Sequence, residues 1–341
     1  MPKLSRRELL KGAATAGLGA LSWRLVGAGG PTFASAAARG AFEGAPLAGR
    51  VLFGAYAGPG PGQDLYDALL AFESLVGGGA HDIKVRVYRF YRKWQDPIDC
   101  TLTRELVARG TKIYVSVHAW RGVNPRRPIK WRDIANGVLD DDIVRMASEC
   151  TSLGKHMYFC FNHEPEDDTG ICGSAADFVA ATEHIMDVFD SQNVTNVTFV
   201  VTLMAATYNG DYGGGTAPWM PLRRAYQCGV DGYNRGKCFG AGRWVSFSSS
   251  FSASHAYATA HDRKLFIAEC GCVEGGSCGG SYGAGAKAAW FDDALRVMRG
   301  WSNLEAFCYS HVGDLYPFPI DTSQSALDAF RTLAHDPWFK S

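Results

Sequence analysis

Two glutamates, Glu164 and Glu269, each close an apolar, β-rich run: KHMYFCFNHE over residues 155–164 and KLFIAE over residues 264–269. Alternation in the first run sets Tyr158, Cys160, Asn162 and Glu164 on one face and Met157, Phe159, Phe161 and His163 on the other, the period of a strand. A carboxylate at the C-terminal end of a strand sits where α/β barrels and open α/β sheets do their chemistry. The interval between the two glutamates holds about three strand-plus-helix units of roughly 30 residues each. The pair is therefore expected on non-adjacent strands, facing each other across a barrel mouth. Opposed carboxylates are the equipment of glycoside hydrolysis: one is kept protonated and one ionised, about 5 to 5.5 Å apart when the second attacks the anomeric carbon. Either glutamate alone fits a salt bridge at a strand end equally well, so the pair carries the reading.

Several other side chains belong to the same end of the molecule. His163 faces away from Glu164 in a regular strand, so a catalytic role for it requires a bulge; otherwise it fixes its loop. Arg89 shares a face with Val85 and Val87 and either steadies Glu269 or forms an internal ion pair. Trp94, Trp120, Trp219 and Trp244 follow strands, and their ring faces suit the C–H patches of sugars, although each alone fits core packing as well. Arg121, Arg126, Arg127, Lys130 and Arg132 form a basic loop, solvated by default and a contact for an acidic glycan if it borders the cleft. No metal or other cofactor is expected. His163, Glu164, Asp167 and Asp168 lack the two-His spacing of hydrolytic metal sites, and the cysteines lack zinc spacing.

The elements needed to position these residues alternate along the chain. Strands are expected near residues 50–57, 83–94, 112–120, 155–164, 196–205, 229–234, 264–270 and 304–310. Helices are expected between them, among them 140–149, 175–189, 252–260, 287–299 and 325–334, with Leu65, Leu69, Phe72 and Val76 at helical spacing in the first. Eight such units predict an α/β fold, a (β/α)8 TIM barrel, as a single catalytic domain over residues 37–341.

Ahead of it, Ser5-Arg6-Arg7-Glu8-Leu9-Leu10-Lys11, an Ala/Gly/Leu-rich run and Ala34-Ser35-Ala36 read as a twin-arginine signal peptide over residues 1–36, exporting a protein with no membrane attachment after cleavage. Lys plus Arg and Asp plus Glu both number 34, and this zero net charge argues against a nucleic-acid partner. A monomer is expected. Ten cysteines suit an oxidising compartment. Cys228 and Cys238 are too far apart along an extended strand to pair, so bridges are expected among Cys100, Cys172, Cys238, Cys272 and Cys278.

Gly54-Ala55-Tyr56, Asn136-Gly137 followed by residues 140–143, Asn162-His163-Glu164, Gly229-Val230-Asp231-Gly232-Tyr233-Asn234, Trp244-x-x-Phe247 and Ala268-Glu269-x-Gly271 come in an order that resembles glycoside hydrolase family 26. That resemblance implies a retaining (β/α)8 glycosidase with Glu164 as acid/base and Glu269 as nucleophile. It also implies that His163 stands where the wider clan often has Asn, that Tyr233 hydrogen-bonds the nucleophile, and that His118 and Trp120 line the subsite of the cleaved sugar. Pro165, the acidic run Glu166-Asp167-Asp168 and the eighth strand's Tyr309-Ser310-His311 depart from the family's pattern. The reading is an exported endo-acting hydrolase of a β-linked polysaccharide, β-mannan by resemblance. A β-glucan, a xylan, a cell-wall glycan or a non-catalytic carbohydrate-binding barrel are the alternatives. Small-residue loops at 209–215 and 234–243 predict a cleft open at both ends.

Overall fold

The computed structural model describes residues 51–78, 83–122, 125–239, 242–313 and 316–340. The signal peptide expected at residues 1–36 and the start of the domain at 37–50 lie outside the described residues. Among the described residues no helix is long and apolar enough to cross a membrane.

Eight parallel strands form the centre: β1 (Val51–Ala57), β2 (Val87–Lys93), β3 (Lys112–His118), β4 (Met157–Phe161), β5 (Val197–Met204), β6 (Gln227–Asn234), β7 (Leu265–Cys272) and β8 (Leu304–His311). Each pairs with the next in sequence order, and β8 returns to β1 through registers such as Gly54↔Cys308, which closes the barrel. A two-residue strand, Phe339–Lys340, pairs with Val51 and Leu52 at the lower edge of β1. Helices α1 (Leu65–Val76), α2 (Thr101–Ala108), α3 (Asp140–Ser152), α4 (Ala175–Ser191), α5 (Ala205–Tyr208), α6 (Phe247–Ala260), α7 (Ala286–Met298) and α8 (Gln324–Ala334) complete the units. The fifth unit has only the single turn of α5, because the Gly-rich chain that follows cannot sustain a helix.

Alternation along the strands divides the core into two layers. Residues such as Phe159, Phe161, Ile267 and Phe307 point outward to the helices. Leu52, Val87, Tyr114, Tyr158 and Phe266 fill the barrel interior as a separate cluster. Space there is tight: a Cβ on Gly54 would come within 2.6 Å of both Cys308 Sγ and Val87 Cγ1 and 2.9 Å of the Val87 carbonyl. Only glycine permits that approach at the first strand.

The strand pattern breaks at both glutamates. Phe266 and Ala268 point into the barrel, so strict alternation would turn Glu269 outward. Instead β7 carries one extra residue relative to both neighbours: Val230↔Ile267 is followed by Asp231↔Glu269 on β6, and Phe307↔Ile267 by Tyr309↔Cys270 on β8. This bulge turns Glu269 inward to the mouth, a common use of bulges beside active sites. β4 ends at Phe161, three residues before Glu164, and both Asn162 (φ 43°) and Glu164 (φ 50°) are left-handed. A left-handed Glu is strained. Three fixed hydrogen bonds hold it there: Asn162 N–H to the Val117 carbonyl, Glu164 N–H to the Thr202 carbonyl, and Ala119 N–H to Asn162 Oδ1.

Candidate active site

Glu269 lies at the barrel's C-terminal mouth and is buried. Its Oε1 accepts the Tyr91 hydroxyl at 2.6 Å and pairs with Arg89 Nη2 at 2.9 Å, and its Oε2 accepts the Tyr233 hydroxyl. Burial alone would raise its pKa. The Arg89 charge and the hydroxyl donors outweigh it and hold the carboxyl below the ordinary carboxylate range.

Arg89 is fully buried beneath Glu269, between the rings of Tyr91 and Tyr114, and pairs also with Asp231 at 3.1 Å. One guanidinium between two carboxylates neutralises one of them. Burial pushes the Asp231 carboxyl well above its usual range against the pull of Arg89, and the charge of Glu269 adds to the rise. Glu269, with its hydroxyl donors, is the member that stays ionised. The ion-pair and Glu269-steadying readings of Arg89 are thus both realised.

Glu164 behaves oppositely. Half-buried on its kink, it is pushed up to about 8 by desolvation first, then by the charge of Glu269 and by Asp167 and Glu166, with Arg235 pulling the other way. Near neutral pH it keeps its proton while Glu269 is ionised, the division of labour that acid and nucleophile require. Hydrolysis by this pair is expected to give a bell-shaped kcat/KM profile. Activity falls as pH rises through about 8, where Glu164 loses its proton, and falls at acid pH as Glu269 gains one. Removing the Glu269 charge also lowers the Glu164 pKa, which NMR titration of the Glu269→Gln variant checks; an unmoved Glu164 would contradict the coupling.

The kink carries His163 to the cleft side rather than away from it, correcting the alternation across 162–164. Its Nδ1 meets Ser116 Oγ at 2.7 Å, its Nε2 lies 3.7 Å from Glu269 Oε1, and its ring packs edge-on to His118 at 4.5 Å. Tyr91, 5.0 Å from His163, completes this wall. Trp120 is half-buried and donates its Nε1–H to Asp168 Oδ2 at 3.2 Å, while Asn162 Nδ2 donates to the same oxygen at 2.9 Å. Asp168, the last of the acidic run after Glu164, therefore positions Trp120, while Asp167 Oδ1 accepts the Tyr212 hydroxyl at 3.2 Å and Glu166 Oε1 accepts the Met204 N–H at 3.0 Å. Tyr233 stacks on Phe318 at 5.1 Å, and Arg235 lies over the Tyr233 and Tyr316 rings.

Trp94 is a correction. It has no exposed surface, packs edge-on to Phe161 and donates to Asp142 Oδ2, so it belongs to the core beneath the cleft and not to a sugar-binding surface. Trp219 is likewise buried, against Phe178. Trp244 remains half-buried at the rim, stacked on Tyr282 at 5.0 Å. The basic loop folds into a hairpin, Trp120–Arg121 with Arg127–Pro128, and a one-turn helix, Trp131–Ala135. Arg121 pairs with Asp142 and Arg132 with Asp177, while Arg126 lies over the Trp120 ring at 5.9 Å. Cys238 and Cys278 form a disulfide joining the loops after β6 and β7. Cys100, Cys172 and Cys272 are unpaired, the latter two buried.

Tyr91, Asp231 and Arg235 are site residues that sequence reasoning passed over. The signal for Tyr91 was its parity with Arg89 on β2; Asp231 and Arg235 lie in and directly after the GVDGYN run. His163, Asp231 and Glu269 bring potential ligand atoms within 4.8 Å of one another. The Arg89 guanidinium already bridges the two carboxylates, so a fixed cation stands where a metal would.

No family model matches the chain. By sequence it is 27% identical over 215 residues to endoglucanase H of Acetivibrio thermocellus, an alignment covering 58% of this chain and 22% of that protein, so the chain spans about a fifth of that relative's length. Among solved structures it is similar to a modular endo-β-1,4-mannanase from Cellulomonas fimi, with TM-score 0.57 and 16% identity over 85% of this chain and 72% of that one. It is similar also to a family 26 β-mannanase from Bacteroides ovatus, with TM-score 0.55 and 14% identity over 85% and 90% of the two chains. The family 26 domain of an endo-β-mannanase/endo-β-glucanase from Prevotella bryantii gives TM-score 0.53 and 11% identity over 85% and 90%. At these identities the structural likeness establishes architecture and leaves chemistry to the site. The chain shares its (β/α)8 barrel architecture with these solved mannanase structures.

Proposed function

We propose that this protein is an exported, retaining endo-glycoside hydrolase of a β-linked polysaccharide, with Glu164 as acid/base and Glu269 as nucleophile. The observation that carries the reading is the unequal setting of the two carboxyls at one barrel mouth: Arg89, Tyr91 and Tyr233 all bind Glu269 and favour its ionised form, whereas burial beside that charge pushes Glu164 up to about 8. Glu269 attacks the anomeric carbon as Glu164 protonates the departing glycosidic oxygen; water, deprotonated by Glu164, then releases the sugar from Glu269 with net retention. His163, His118 and Trp120 form the wall against which the cleaved sugar sits, and Trp244 extends the cleft. A non-catalytic barrel has no use for two carboxyls poised in opposite states.

β-Mannan is favoured by the mannanases that share the fold, and a β-glucan is the second reading, supported by the 27% identity to an endoglucanase. The twin-arginine reading of residues 1–36 supports export. The test is reducing-end release over β-mannan, mixed-linkage β-glucan, xylan and a bacterial cell-wall glycan, with viscosity followed in parallel. Release from β-mannan with an early fall in viscosity, lost in Glu269→Ala, is the expected result. Monosaccharide release without a fall in viscosity would overturn internal cleavage, and no release from any polymer would overturn the hydrolase.

A further inference from the structure

A second cavity opens at the same end of the barrel, between the loops after β6 and β7, which the Cys238–Cys278 disulfide ties together. Its volume is about 250 Å³, just under the ~300 Å³ at which pockets for drug-sized ligands begin, and so of a size for one sugar ring. Trp244 and Tyr282, stacked on each other, supply aromatic surface, and Lys237 and Arg243 supply two positive charges. Among the described residues neither cation has an ion-pair partner, and both are exposed. Glycines let the lining loops fold tightly on themselves: a Cβ on Gly242 would fall 2.4 Å from the Gly236 carbonyl oxygen, and one on Gly280 2.2 Å from that of Gly275. Its lining starts at Gly236, next in sequence to Arg235, whose ring-stacked guanidinium lies over Tyr233 beside Glu269.

We propose that this cavity is a subsite for a pyranose bearing an anionic group, a carboxylate or a sulfate ester, with the ring against Trp244 and Tyr282 and the anion between Lys237 and Arg243. The chemistry follows from the pairing: aromatic rings take the apolar face of a sugar, and a guanidinium beside an ammonium takes a multi-oxygen anion. Across the barrel mouth Arg126 over Trp120 repeats the combination of ring and cation. The inference rests on the glycan-binding part of the reading above and names which glycan the cleft prefers.

The test is binding, so it does not depend on turnover. Calorimetry at low salt compares mannotetraose, its C6-oxidised uronate form and its 6-O-sulfated form, each titrated into the full chain carrying Glu269→Gln, with and without Lys237→Ala/Arg243→Ala. One or both anionic forms are expected to bind roughly tenfold more tightly than the neutral one. That preference should vanish in the double variant while neutral binding stays, and Trp244→Ala should weaken every form. Preference for the uronate alone assigns a carboxylate; preference for both assigns either anion. Equal binding of neutral and anionic forms, a preference that survives loss of both cations, or no binding of any form overturns the proposal. Tight, selective binding by a wild-type chain that cleaves nothing would instead count against hydrolysis and leave the subsite standing.

Discussion

Glu164→Ala and Glu269→Ala are expected to fail in different ways. Without Glu164 the nucleophile survives, so a substrate with a good leaving group still glycosylates the enzyme, while one that needs a proton slows by roughly 10²- to 10⁴-fold. The second step then stalls for want of a base. Azide needs no base and fits the space left by the side chain, so it should restore turnover and yield a glycosyl azide of retained configuration. Without Glu269 no covalent intermediate forms, and the loss should be on the order of 10⁴- to 10⁶-fold whatever the leaving group. Any azide rescue there gives the inverted product by direct displacement. Steady-state rates on aryl glycosides with NMR of the azide adducts separate the cases. A common response of both variants to leaving group and azide would refute the roles.

Arg89→Met should have the next largest effect, although Arg89 need touch no substrate. The guanidinium is the permanently charged partner of Glu269, and it lies with Asp231 inside the barrel. Removing it leaves a buried carboxylate without its counter-charge, a change that costs about 3–5 kcal/mol when a buried pair is broken from one side. The same loss lets burial dominate the Glu269 pKa, so the acid limb of kcat/KM should move toward neutral pH. Thermal denaturation reads the first effect and the pH profile the second. Arg89→Lys keeps the charge but loses the fork that reaches both carboxylates, and should recover part of the acid-limb position. An acid limb unmoved in Arg89→Met would make Arg89 structural only.

The barrel was legible because its signals are local and repeated: eight period-two apolar runs ending in polar loops, with period-3.6 helices between all but the fifth and sixth. The two glutamates were legible as strand-end carboxylates. How they reach the cleft was not, because alternation fails where the site is built. Glu269 turns inward through one extra residue on β7, and His163 turns toward it through left-handed Asn162 and Glu164. Such departures are set by contacts from other strands, here the carbonyls of Val117 and Thr202, and a single chain pattern does not contain them. The tryptophans mark the opposite limit. Their position after strands was correctly read, but burial depends on what packs above: Trp94 goes under Asp142 and Phe161, whereas Trp120 and Trp244 remain at the surface of the cleft.

The account turns on two carboxyls on opposite faces of the sugar, acting in two displacements that together retain configuration. ¹H NMR of the anomeric signals during the first minutes of oligosaccharide hydrolysis, before mutarotation mixes the anomers, tests this most directly. The β-anomer of the new reducing end should appear first and the α-anomer only later. An α-anomer formed first would mean single displacement and contradict Glu269 as the nucleophile.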